Sequence, residues 1–171
     1  MPVDRVRLRH VTGHDLAAPD DEAGRAFAQL LSGTPLRVLL SADFTTLAWR
    51  KLLINSVANP ITALTRQRLG VLRHDDVRGL CRAVLEEAVA VARAGGARLN
   101  EDEAGQTLAT LLTYPAEAGT SMYFDCLADR PLEIEELTDA IVAAGELHAI
   151  PTPLNRALLT LLRAINAAAS R

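Results

Sequence analysis

A chain of 171 residues that is 49% hydrophobic has enough apolar material for a buried core, so one globular domain is the starting expectation. Aromatics make up only 4%, which leaves Ala, Leu and Val to fill the interior and favours helix over sheet. A formal net charge of −3 with no Lys/Arg block argues against a nucleic-acid surface. No apolar run approaches ~18 residues and no apolar signal region follows the first charges, so a soluble, cytoplasmic protein without a membrane span is expected.

In chain order, residues 3–11 alternate apolar and polar, the period of a half-buried strand, and Thr12-Gly13-His14-Asp15 reads as a turn. Asp20 or Asp21 can cap a helix that includes Phe27, Leu30 and Leu31 and stops at Gly33. Residues 35–40 read as a second short strand, after which strand patterns vanish. Asp43 can cap a long helix through Trp49 and Asn59, which Pro60 should kink or end because it supplies no N–H. Helical patterns follow at about 75–94, closed by Gly95-Gly96, then at 101–113, around 117–129 and at about 133–147. Pro151-Thr152-Pro153 is a rigid connector into a last helix at about 154–168. Asp75-Asp76 reads as a helix start and Glu86-Glu87 as a solvated face. The expected fold is mainly α, with an α/β lead-in over residues 1–40 and a helical bundle over 41–171.

Cys81 and Cys126 have no CxxC partner, which points to buried free thiols in a reducing compartment. His10 and His14 are spaced i, i+4 but straddle Gly13 with no convergent acid or thiol, so no metal site is expected.

The chemistry concentrates in the long helix. Lys51, Asn55 and Asn59 recur every four residues among Leu52, Leu53, Ile54, Val57 and Ala58. A step of four turns about 400°, so the three side chains form one slowly drifting stripe. A cation and two carboxamides in an apolar wall need partners, since unpaired polar groups there cost several kcal/mol. A cleft where the stripe meets a polar ligand is the economical explanation. Taken alone, Lys51 could equally be a snorkelling surface lysine, Ser121 a helix cap, and Glu133 a charge that favours a helix start.

Four motifs together resemble the helical substrate domain of ketopantoate reductase (2-dehydropantoate 2-reductase). They are Trp49-x-Lys51-x-x-x-Asn55-x-x-x-Asn59-Pro60, Ser121-Met122-x-x-Asp125, Pro131-x-Glu133-Ile134-Glu135, and Ile150-Pro151-x-Pro153-x-Asn155. The resemblance covers roughly residues 40–168. It implies an oxidoreductase of pantothenate biosynthesis that reduces a small 2-oxo acid with NADPH. It also implies that Lys51 is the general acid on the ketone oxygen. Asn55, Asn59 and Ser121 then bind substrate, and Glu133 acts at the nicotinamide-ribose end of the cofactor.

The chain departs from the family pattern at Thr138-Asp139, where the family has Asn-Gly, at Glu135 for Asp, at Ala149 for Gly, and at Leu69 for a substrate-contacting Asn. A larger departure is that no GxGxxG, nor any GxG, is present to hold a pyrophosphate. The first 40 residues resemble only the tail of a Rossmann domain, so this polypeptide alone is not expected to perform the reduction or to bind NADPH tightly. Two readings stay open. One is half of a reductase, either a fragment or a split protein whose cofactor half is a separate polypeptide. The other is a stand-alone domain reused as a cofactor-free cyclase or lyase, or as a small-acid binding module. A helical domain without its partner exposes an interface that favours homo-oligomer formation.

Overall fold

The computed structural model describes residues 15–169; the expected strand at 3–11 and the His10/His14 pair lie outside that range. Two compact units divide between Phe44 and Thr45. In the first, β1 (Asp15–Pro19), α1 (Glu22–Leu30) and β2 (Arg37–Ser41) form a β-α-β unit. The strands pair in parallel from Asp15 opposite Arg37 to Pro19 opposite Ser41. Arg37 clamps that register with two hydrogen bonds to the Asp15 carboxylate, at 2.7 and 3.0 Å. Asp15 is therefore in a strand, where the sequence suggested a turn. Asp-Leu-Ala-Ala-Pro has no alternation to read, and the pairing that makes it a strand comes from 22 residues further on. Asp21 caps α1 by accepting from the Gly24 N–H at 2.7 Å. A Cβ at Gly24 would lie 1.9 Å from the Pro19 carbonyl oxygen, so the strand-to-helix turn requires glycine.

The second unit is helical: α2 (Phe44–Thr65), a 3-10 turn (Leu69–Arg73), α3 (Asp75–Ala94), α4 (Glu103–Thr113), α5 (Ser121–Leu127), a π turn (Glu135–Asp139), α6 (Ala140–Leu147) and α7 (Pro153–Ala169). Pro60 neither ends nor divides α2. Its missing N–H frees only the Ser56 carbonyl, while burial of every residue from 56 to 63 holds the helix through that gap.

Two apolar clusters form the core. In the first, Leu53, Val57 and Ile61 of α2 pack with Leu72, Cys81, Val84, Leu85, Leu108 and Leu111. In the second, Ala63 meets Met122 and Cys126 of α5, Leu132, Ile134, and Leu159 and Leu162 of α7. Neighbouring residues of α6 join both, Ile141 to the first and Val142 to the second. Burial pushes the Cys81 thiol up to about 11, so it behaves as a small core hydrophobe. Among the described residues no helix is long and apolar enough to cross a membrane.

Four helices stop in the same way. An N–H two or three residues past the last helical residue bonds back five positions: Gln67 to Thr62, Ala97 to Ala92, Arg130 to Asp125 and Ile150 to Gly145, at 2.8–3.2 Å. The residue before each donor is left-handed: Arg66 (φ 52°), Gly96 (φ 88°), Asp129 (φ 50°) and Ala149 (φ 54°). Only one of the four is the glycine that such a stop prefers.

Candidate functional site

α2 organises the site by presenting two different faces. Leu53 is fully buried, and Lys51, about 200° round the helix from it, is exposed. Asn55 is half-buried and Asn59 is buried at 4% exposure. None of these three side chains has a hydrogen bond or ion pair with another described residue.

The core-ward side is held firmly. The Arg98 N–H donates to Thr46 Oγ1 at 2.7 Å. Arg50 donates twice to the buried Glu103 carboxylate, at 2.9 and 3.3 Å, and the Asn100 N–H adds a third bond at 2.9 Å. Burial pushes the Glu103 carboxyl up. The Arg50 hydrogen bond, the Asn100 N–H, and the charges of Arg50 and Arg93 outweigh it and hold the group below its ordinary value.

On the stripe side, Thr62 Oγ1 and Thr120 Oγ1 share a hydrogen bond of 2.7 Å. Thr62 is eleven residues beyond Lys51, three turns plus about 20°, so Lys51 and Asn55 lie on the face of α2 that meets the start of α5. The loop leading into α5 is stitched to the 3-10 turn, with the Leu69 N–H on the Ala118 carbonyl at 2.9 Å and the Gly70 N–H on that of Ala116 at 2.8 Å. Arg68 donates to the Glu117 carbonyl and lies 5.7 and 6.0 Å from the Tyr123 and Phe124 ring centres. Thr120, not Ser121, caps α5 by accepting from the Tyr123 N–H at 3.1 Å. That leaves the exposed Ser121 hydroxyl at the first helical position, free of a capping role.

Glu133 is exposed between Leu132 and Ile134, both buried in the second cluster. Asn59, Ser121 and Glu133 are thus carried by segments whose neighbours Ala63, Met122, Leu132 and Ile134 share one core. Asn55 and Lys51 continue the same face roughly 6 and 12 Å along the axis from Asn59. A cavity of about 620 Å³ lies elsewhere, lined by Ala63, Cys126, Arg66, Asp129 and Arg130 among others and by none of the expected site residues. Among the described residues no group of three or more His, Cys, Asp or Glu could hold a metal.

The departures from the family pattern now have places. Leu69 is in the first cluster at 6% exposure, and Thr138 is fully buried in the π turn with no hydrogen-bond partner for its hydroxyl. Residues 135–139 form that π turn where an ordinary helix was expected. Glu87 corrects another expectation. Glu86 does face solvent and pairs with Arg82, but Glu87 accepts from the Leu154 and Asn155 N–H groups and from Asn155 Nδ2, at 2.8–3.0 Å. It caps α7 from 67 residues upstream, a role no local pattern could reveal. Thr62 also escaped the sequence reading, although continuing the stripe by three residues from Asn59 reaches it.

The second unit is a helical domain with a polar stripe on one face of α2. The family model described as ketopantoate reductase PanE/ApbA C terminal matches residues 43–166, and the chain belongs to that family. It is 40% identical over 163 residues to a 2-dehydropantoate 2-reductase of Mycobacterium tuberculosis, covering 95% of this chain and 54% of that protein. It is 34% identical over 149 residues to one of Caulobacter vibrioides, covering 87% and 51%. A structure of a dimeric ketopantoate reductase from Staphylococcus aureus superposes with a TM-score of 0.86 at 31% identity, over 94% of this chain and 56% of the other. The chain spans about half the length of the curated relatives it matches.

Proposed function

We propose that these 171 residues form the substrate half of a cytoplasmic, NADPH-dependent 2-dehydropantoate 2-reductase. The observation that carries this reading is the polar stripe of Lys51, Asn55 and Asn59, without partners among the described residues, on the face of α2 that Thr62 joins to the start of α5.

A 2-oxo acid presents a ketone beside a carboxylate. The Asn55 and Asn59 carboxamides and the Ser121 hydroxyl can donate to such oxygens without adding charge. The exposed Lys51 ammonium is a suitable proton donor to the ketone oxygen: it stabilises the developing alkoxide, delivers its proton and regains one from water. Bound NADPH would supply the hydride to the ketone carbon, giving the 2-hydroxy acid. Glu133, exposed between two buried residues, serves in this reading as the acidic contact at the nicotinamide-ribose end. The sequence contains no Gly-rich phosphate loop, so the pyrophosphate must be held by residues outside these 171. A second copy of the chain is a further proposed partner, since the Staphylococcus aureus neighbour is dimeric.

The test is a fusion of this chain behind the dinucleotide-binding half of the Mycobacterium tuberculosis relative. NADPH consumption that depends on 2-dehydropantoate is expected. A folded fusion that binds NADPH yet turns nothing over would overturn the reading.

A further inference from the structure

We propose that Asn166 is a positioning residue for Glu133, setting the turn from which that carboxylate projects. The inference rests on the reading above that Glu133 belongs to the site. Residues 129–134 have no helical or strand ladder, so the backbone groups of the buried Leu132 must find partners elsewhere. Asn166 supplies both. Its Oδ1 accepts from the Leu132 N–H at 2.9 Å, and its Nδ2 donates to the Leu132 carbonyl at 3.3 Å. One carboxamide thereby imitates the edge of a neighbouring strand.

The same Leu132 carbonyl also accepts from the Ile134 N–H at 2.9 Å, which closes a three-residue turn centred on Glu133. The Ile134 carbonyl then accepts from the Asp139 N–H at 2.8 Å, the first bond of the π turn. Leu132 and Ile134 sit in the second cluster against Leu159 and Leu162 of α7. Asn166 follows those two residues at spacings of seven and four, on the same face of α7. Glu133 is therefore held by two apolar anchors and one carboxamide, while its own side chain is exposed and bonded to no described residue. A turn this tight fixes where the carboxylate emerges, and small misplacement of a working group can cost up to about 10²-fold in rate.

A double-mutant cycle in the fused reductase separates positioning from general support. Turnover is measured for Glu133→Ala, Asn166→Ala and the double variant, at a temperature where melting curves show each to be folded. Asn166→Ala is expected to lower kcat/KM roughly 5–20-fold and to add nothing once Glu133 is already Ala. Asn166→Asp retains the acceptor for the Leu132 N–H, so it should recover part of the loss and also serves if Asn166→Ala fails to fold. Independent, multiplying losses from the two alanine variants would overturn the proposal. Should Glu133→Ala leave turnover unchanged, Glu133 leaves the site and this inference falls with it, whereas the reading of Lys51 stands.

Discussion

The two motifs that most clearly mark this family, the Lys-Asn-Asn helix and the Pro-Thr-Pro-Leu-Asn connector, use their polar residues in opposite ways. In α2, Lys51, Asn55 and Asn59 have side chains without partners among the described residues. In the connector, Asn155 is fully buried, and its Nδ2 donates to the Val84 carbonyl at 3.2 Å and to Glu87 at 2.8 Å. A recurring polar residue therefore has two physical explanations, and the state of its hydrogen bonds separates them. Donors already engaged inside the fold, as Asn155 Nδ2 is, hold it together, although the Asn155 Oδ1 is buried without a partner among the described residues; donors left open beside solvent are available to a ligand.

The largest effect that would sharpen this contrast is on turnover. Lys51→Ala should lower the rate of the fused reductase by about 10²–10⁴, the usual cost of losing a positioned acid. Because Lys51 is exposed, its melting temperature should stay within what about 0.5 kcal/mol produces. An unchanged rate would place the stripe among the structural features.

Asn155→Ala should show the reverse. It removes the side-chain bond to the Val84 carbonyl and one of the two bonds to a single Glu87 oxygen, which keeps the Asn155 N–H, and leaves a gap at a fully buried position, costing about 1.5–3 kcal/mol. For a chain of this length the melting temperature should fall by roughly 3–12 °C, read by circular dichroism. Turnover of the folded fraction should be unchanged; a catalytic defect without destabilisation would break the distinction.

Legibility from sequence follows the same division. Elements specified locally were readable: α3 from Asp75 to the Gly95-Gly96 stop, α1 from its Asp21 cap, and α7 from the prolines before it. The shared face of Lys51, Asn55 and Asn59 was readable too, because membership of one helix face is a matter of spacing, whereas its gradient from exposed Lys51 to buried Asn59 was not. What escaped depends on partners distant in the chain. β1 becomes a strand through β2, Glu87 becomes a cap through α7, and the turn at Glu133 is closed with the help of Asn166, 34 residues beyond Leu132. Thr138 was recognised as a departure, but its burial in a π turn was not, since a single extra residue in a helical turn leaves no periodic signature.

Glu103 tests the rigid back of α2 against its open front. Glu103→Gln keeps the size but removes the charge that receives Arg50, and with Arg50 45% exposed about 1–2 kcal/mol is expected. The folded-state value of Glu103 lies below its unfolded one. The contribution is therefore complete above the ordinary glutamate range near ~4.3 and is lost as pH falls through the lowered folded value. Urea midpoints of the wild type and the Gln variant should differ at neutral pH and converge in acid. A constant gap across that window would show that Glu103 acts by shape rather than charge.

The smallest effect is a gain. Ala149 ends α6 in the left-handed region at φ 54°, in the same kind of stop that Gly96 makes after α3. A side chain there costs about 1–2 kcal/mol in the folded state. Glycine removes that strain but loosens the unfolded chain by about 0.4–1 kcal/mol, so Ala149→Gly should stabilise by a net of about 0.5–1 kcal/mol. Ala149 is exposed, and the bond that closes the stop runs from the Ile150 N–H to the Gly145 carbonyl at 2.8 Å, so the substitution removes no interior contact. The melting temperature should rise by about 1–4 °C with turnover unaltered. The family pattern has glycine at this position, so a stabilised, equally active variant would mark Ala149 as a tolerated strain. A loss of turnover would instead bind the connector to the working site and erase the line between the two motifs.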